Sequence, residues 1–111
     1  MPDLCTIETR QTDSYTILRI IGEVDASNAA SIDQELRAIA AAARNVIVVD
    51  LNDLEYIDSA GIAALERVVR DIDCRIVIAE DATVYQTLNI VRFNSGQPLY
   101  GSLADALSSV E

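Results

Sequence analysis

The sequence predicts an α/β fold, with a mixed β-sheet of about five strands and four α-helices. Three observations point there. Val46, Ile47, Val48 and Val49 form an unbroken β-branched apolar run, which suits a strand covered on both faces. From that run onward, strand-like and helix-like segments alternate, which calls for crossovers and parallel pairing. Ahead of it, two strand-like segments joined by a short polar turn read as an antiparallel hairpin and make the sheet mixed. The predicted order is β-β-α-β-α-β-α-β-α, spanning residues 1–111 as a single domain.

Residues 4–9 alternate weakly and fit an edge strand. Thr12, Asp13 and Ser14 are turn formers. Residues 15–21 (YTILRII) are rich in strand formers. Gly22, Glu23, Val24 and Asp25 are expected to leave the strand, with Asp25 or Ser27 capping a helix over residues 27–44. Ala29, Ile32, Leu36, Ile39 and Ala43 give that helix one apolar face, with Asp33, Glu35 and Arg37 on the other. Residues 46–51 are the central strand. Ile62, Leu65, Val69 and Ile72 recur at helical spacing and mark a helix starting near Ala60. Asp71 to Asp73 closes it. Residues 74–79 (CRIVIA) read as another buried strand, and Asp81 as the cap of a short helix with Val84, Leu88 and Val91 inward. Residues 94–98 read as a loop, and Leu99 and Tyr100 as a short last strand. Ser102 and Asp105 resemble a capping box at the start of a final helix bearing Leu103, Ala106, Leu107 and Val110.

Half of the residues are apolar and 23% are charged, a globular balance. The net charge is −10, and the eight cationic residues are all Arg. Direct nucleic-acid binding and docking on an anionic membrane are disfavoured, since both need a basic face; a basic protein partner is favoured. The absence of His removes the commonest general base and metal ligand. No nucleophile–base pair, phosphate loop or metal-ligand set is visible, so neither enzymatic activity nor a cofactor is expected. No apolar run approaches membrane-spanning length, and no signal pattern opens the chain, so a cytoplasmic protein without membrane insertion is expected. Cys5 and Cys74 read as buried reduced thiols rather than a metal or redox pair.

The candidate site lies where the central strand gives way to the following helix. Asp58 is suited to be the N-cap, which puts Ser59 in the first turn beside unpaired backbone N–H groups at the positive end of the helix dipole. A phosphate on that hydroxyl would be well placed. By residue type alone, Ser59 is an ordinary helix N-terminal serine. Asp25 and Asp58 read as caps rather than a metal or acid–base pair, because no His, Lys or third acid joins them. Asp50, Asp53, Glu55 and Asp58 read as a solvated acidic loop. Gly61 has two open readings: a residue tolerated in a first helical turn, or a missing side chain that lets another protein approach. Ala63 and Ala64 leave a flat helix surface, with one of them facing out.

Three motifs, in order and at matching spacing, resemble the STAS domain family, whose type members are the bacterial anti-sigma factor antagonists. They are G-E-V-D at 22–25, V-V-D-L followed by I-D-S-A-G-I across 48–62, and L-Y-G-S-L-A-D-A-L at 99–107. The resemblance implies a sheet and helices wound as a β-α superhelix. It also implies partner switching. The unmodified protein binds an anti-sigma factor that is a serine kinase with a histidine-kinase-like ATP fold, and so frees a sigma factor. The kinase then phosphorylates the serine after the motif aspartate, here Ser59, and a PP2C-type phosphatase restores the active form. Carried over, partner contacts fall on Asp25, Asp58, Ser59, Ala60, Gly61 and Ala63. This sequence has Ala60 where the regulators usually carry Ser or Thr, and Ala63 where Gly is frequent. The alternative is a STAS interaction subunit that is not phosphorylated, as in lipid-transporting ABC systems or another regulatory complex. With strands in chain order, as the superhelix implies, three spacings of ~4.8 Å separate Cys5 from Cys74, too far for a disulfide.

Overall fold

The computed structural model describes residues 4–90 and 99–108. Ten elements follow one another: β1 Cys5–Gln11, β2 Tyr15–Val24, α1 Ala29–Ala42, β3 Val46–Asp50, β4 Leu54–Ile57, α2 Ser59–Asp71, β5 Cys74–Val77, α3 Tyr85–Ile90, β6 Leu99–Tyr100 and α4 Leu103–Leu107. The sheet runs β1-β2-β3-β5-β6, with β4 paired to β2 beyond the end of β3. β1 and β2 are antiparallel and every other pair is parallel. The expected mixed α/β sheet with four helices is present, and its main path follows chain order.

Among the described residues the sheet has six strands rather than about five. The extra one, β4, occupies part of the stretch expected to be an acidic loop. Leu54 and Ile57 are buried within it while Glu55 and Tyr56 are exposed. β2 also continues through Val24 instead of ending before Gly22. Gly22 permits this with φ 110, and a Cβ there would lie 2.2 Å from the Leu4 carbonyl oxygen.

One face of the sheet carries the main core. Leu18, Ile20 and Val24 of β2 meet Ile32 and Leu36 of α1, Ala64, Leu65, Val68 and Val69 of α2, and Leu88 of α3. The apolar face of α2 is rotated from the expected one: Gly61, Ala64 and Val68 are buried with Leu65 and Val69, whereas Ile62 and Ile72 are half-buried. Asp33 ties the two long helices together, pairing with Arg37 and approaching Arg67 at 3.8 Å, while Arg37 reaches Asp71 at 2.9 Å.

The opposite face has a smaller core, in which Ile17, Val48 and Val77 pack against Ala106 of α4. Ser102 caps α4 as expected, its Oγ accepting from the Asp105 N–H at 3.1 Å. Asp81 lies in a turn ahead of α3, which starts only at Tyr85, so it is not that helix's cap. Val84 and Leu88 face inward as expected. Val91, the 94–98 loop and Val110 fall outside the described residues. Cys5 and Cys74 are free thiols, on β1 and β5, three strand steps apart. No helix among the described residues is long and apolar enough to cross a membrane.

Candidate functional site

The ends of β2 and β4 and the starts of α1 and α2 meet at one edge of the sheet, and Asp58 joins them. Its backbone N–H donates to the Val24 carbonyl at 3.2 Å. Its Oδ1 accepts from the Gly61 N–H at 2.9 Å, the N-cap bond expected for α2. Its Oδ2 accepts from the Ala26 N–H at 3.2 Å, in the turn between β2 and α1. One carboxylate therefore fixes two loops, and the sequence pattern foresaw only the bond within its own helix.

That turn is built locally. The Asp25 Oδ1 accepts from the Ser27 N–H at 2.8 Å and the Ser27 hydroxyl at 2.5 Å. These bonds, the hydroxyl foremost, hold the Asp25 carboxyl below the ordinary carboxylate range. Asn28 closes the turn, its Oδ1 accepting from the Asp25 N–H and its Nδ2 donating to the Glu23 carbonyl, both at 2.9 Å. α1 consequently starts at Ala29, after Asn28, rather than at residue 27 under an Asp25 or Ser27 cap.

Ser59 is the first residue of α2 and is exposed. The five other expected contact residues are arranged around it unequally. Asp25, Asp58, Ala60 and Ala63 are half-buried. Gly61 is buried, and a Cβ there would lie 2.7 Å from both the Val24 carbonyl oxygen and the Ile57 Cγ1. Its missing side chain thus serves a close approach within the molecule, between α2 and the ends of β2 and β4. Of the two alanines, Ala64 faces inward and Ala63 outward.

The exposed residues of the segments that meet at this edge include Glu23, Ala26, Ser27, Glu55 and Tyr56. The acids around Tyr56 predict a loop there; an aromatic in a chain with only 5% aromatics is the sequence signal for it. The acids once grouped together are spread out. Asp53 pairs with Arg19 at 2.5 Å, Asp50 accepts from the Asn52 N–H at 2.9 Å, and Asp58 caps α2. Among the described residues, Glu23, Asp25, Glu55 and Asp58 have no ion-pair partner, so this edge is negative. A groove of about 780 Å3 lies elsewhere, on the sheet face beside α4, lined by Glu8, Arg10, Ile17, Arg19, Asp50 and Leu103. Its Arg19 is already held by Asp53 and Glu8.

A family model described as the STAS domain matches residues 6–106. The anti-sigma-F factor antagonist RsfB of Mycobacterium tuberculosis is 24% identical over 112 residues, covering 98% of this chain and 92% of that protein. The crystal structure of an anti-sigma factor antagonist from Mycobacterium paratuberculosis superposes with a TM-score of 0.82 at 25% identity, covering 99% of this chain and 97% of the other. The anti-sigma factor antagonist SpoIIAA in its unphosphorylated form matches in fold, with a TM-score of 0.56 at 18% identity over 87% of this chain and 89% of its own.

Proposed function

Because the chain belongs to the STAS domain family, as its three motifs led one to expect, we propose that it is an anti-sigma factor antagonist switched at Ser59. The unphosphorylated protein binds an anti-sigma factor that is also a serine kinase, and so frees a sigma factor. Phosphorylation of Ser59 by that kinase ends the binding, and a PP2C-type phosphatase reverses it. The observation that carries this is the exposure of Ser59 on a helix start pinned by Asp58 to the β2–α1 turn. The hydroxyl is accessible while its surroundings are fixed, so modification changes a docking surface without refolding it. The names of RsfB and of the paratuberculosis structure support the same role.

The switch has a sufficient magnitude. A phosphoserine carries roughly −1.5 to −2 charges. A kinase docked for transfer holds nucleotide phosphates opposite Ser59, and after transfer these face the new phosphate. At ~6 Å and an effective dielectric of ~20, each pair of unit charges costs about 3 kcal/mol. A loss of about 2 kcal/mol already weakens binding roughly 30-fold.

The test is incubation with each purified anti-sigma kinase of the source organism and Mg-ATP, followed by intact-mass analysis and calorimetry. Gain of one phosphate by the wild type, none by Ser59→Ala, and loss of binding on phosphorylation are expected. Ala60, where the regulators carry a second hydroxyl, favours one other reading, a STAS interaction subunit that is not phosphorylated. Tight binding of a partner with no phosphate gained, and equal affinity for Ser59→Asp, would establish that reading instead.

A further inference from the structure

A row of three exposed residues crosses the sheet at the end from which α2 begins. Cys5 pairs with Gly22, so Leu4 falls opposite Glu23, whose N–H donates to the Leu4 carbonyl at 2.9 Å. On the other side of Glu23, its partner on β4 is Tyr56. Register partners present their side chains to the same sheet face. Here that is the face opposite the main core, since Val24 and Ile57, the next pair along, point into the core. Leu4 is 46% and Tyr56 50% exposed, and they are the large apolar side chains left exposed among the described residues.

The charges around the row indicate what covers it. Glu23 sits between the two apolar side chains and Glu55 precedes Tyr56, and neither has an ion-pair partner among the described residues. Arg19, further back along β2, is occupied by Asp53 and Glu8. The whole chain carries −10. A second copy of the chain would bring like charge onto Glu23 and Glu55, and like charges directly opposed are repelled. A cationic partner gains there. Tyr and Leu flanking one carboxylate fit a protein surface with an apolar cleft beside lysine or arginine, and Tyr is among the residues that anchor interfaces.

We propose that the Leu4–Glu23–Tyr56 row is a second contact for the anti-sigma kinase. It docks in an apolar cleft rimmed by cationic side chains, next to the nucleotide that faces Ser59. The assignment rests on the function proposed above. It makes Tyr56 an affinity anchor that is separate from the switch residue.

The experiment is calorimetry of the full chain against the anti-sigma kinases of the source organism, at two salt concentrations, with thermal unfolding as the folding control. Tyr56→Ala should weaken binding by about tenfold or more, and Leu4→Ala by about threefold. Tyr56→Phe should stay near wild type. Glu23→Gln with Glu55→Gln should reduce the salt dependence of binding. Thr9→Ala, exposed on β1 away from the row, should change nothing. Amide exchange of the wild type needs no variant; added kinase should slow exchange at residues 4–6 and 54–57. Wild-type affinity in Tyr56→Ala and Leu4→Ala, alongside weak binding by Ser59→Asp, would overturn the row and leave the Ser59 function intact. A Tyr56-dependent dimer in sedimentation would overturn it in favour of a second copy. Failure of the wild type to bind any of these kinases would overturn both.

Discussion

Gly61→Ala tests the close approach of α2 to the sheet, and two effects oppose each other in it. Helix propensity alone favours the substitution by about 1 kcal/mol, because Gly is among the poorest residues in a helix. Packing opposes it. The new Cβ would lie 2.7 Å from the Val24 carbonyl oxygen, 2.7 Å from Ile57 Cγ1 and 3.0 Å from Val24 Cγ1. The first of these neighbours is backbone, and 2.7 Å is nearly 1 Å short of the ~3.5 Å at which such atoms attract. Nor can that carbonyl yield freely, since it accepts from the Asp58 N–H at 3.2 Å. Overpacking of this kind costs about 1–3 kcal/mol, and weakening the Asp58 bond adds about 1 kcal/mol. Packing therefore wins, by about 1–3 kcal/mol. For a domain near a hundred residues, that lowers Tm by about 4–24 °C. Thermal unfolding followed by circular dichroism measures it. Ala63→Gly, on the half-exposed side of the same helix, is the control and should cost about 1 kcal/mol from propensity alone. A Tm for Gly61→Ala at or above wild type would refute the reasoning, because it would mean that the space behind Gly61 accommodates a methyl group.

Asp58→Ala removes an acceptor from both the Gly61 and the Ala26 N–H, so it should cost about 2 kcal/mol, more than an ordinary cap, in a denaturant titration. Ser59→Ala and Ser59→Asp should both melt within a few degrees of wild type, since neither removes the cap and an acid in the first helical turn is favourable; calorimetry against the kinase should then find Ser59→Ala binding and Ser59→Asp weakened about tenfold or more. Burial first, and Asp73 second, push the Cys74 thiol up to about 11. A raised value means that the folded protein holds this proton longer than the unfolded chain, so its contribution to stability is complete below about pH 9 and is lost as pH rises toward 11. Urea titrations across that range should give a falling midpoint that Cys74→Ala flattens. Native non-reducing mass analysis should find no Cys5–Cys74 bond.

What the sequence disclosed follows from how local each signal is. The apolar run at Val46–Val49, the hairpin and the Asp58 cap each depend on a few adjacent residues, and each is in place. β4 was hidden by one residue. The β2–β4 register runs Gly22 to Leu54 and then Glu23 to Tyr56, leaving Glu55 as an extra residue between them. That slip spaces the buried Leu54 and Ile57 three apart, a spacing that belongs to neither strand alternation nor a turn. β2 was shortened for a related reason: G-E-V-D looks like a strand exit, and only the contact of Gly22 with the Leu4 carbonyl shows why a glycine belongs inside the strand. The buried face of α2 differs from the predicted one because side-chain bulk does not decide burial there. The helix lies close to the sheet because Gly61 and Ala64 are small, and this closeness leaves the larger Ile62 half-buried. The carboxylate bond from Asp58 to Ala26 spans 32 positions, and no periodicity encodes a contact of that kind.

The rigidity of the Asp58 corner decides how a charge at Ser59 would act. Both Asp58 oxygens already accept a backbone N–H, so the carboxylate cannot turn away from an anion arriving beside it. In the free protein the two local effects are comparable. The helix terminus attracts an anion by about 0.3–1 kcal/mol, and repulsion from one carboxylate at ~6 Å in water-like surroundings costs about 0.7 kcal/mol per unit charge. A phosphorylated Ser59 would thus leave the fold nearly untouched. Docking of the proposed kinase would remove the water, and the same repulsion would then grow several-fold, with that kinase's nucleotide phosphates added to it. A phosphate held at such a corner is tolerated alone and penalised in the complex. The penalty would need no moving part, because the drop in dielectric and the opposed nucleotide phosphates both arise on docking. An anchor at Tyr56, outside this corner, would raise the affinity of both forms alike and leave their ratio to Ser59.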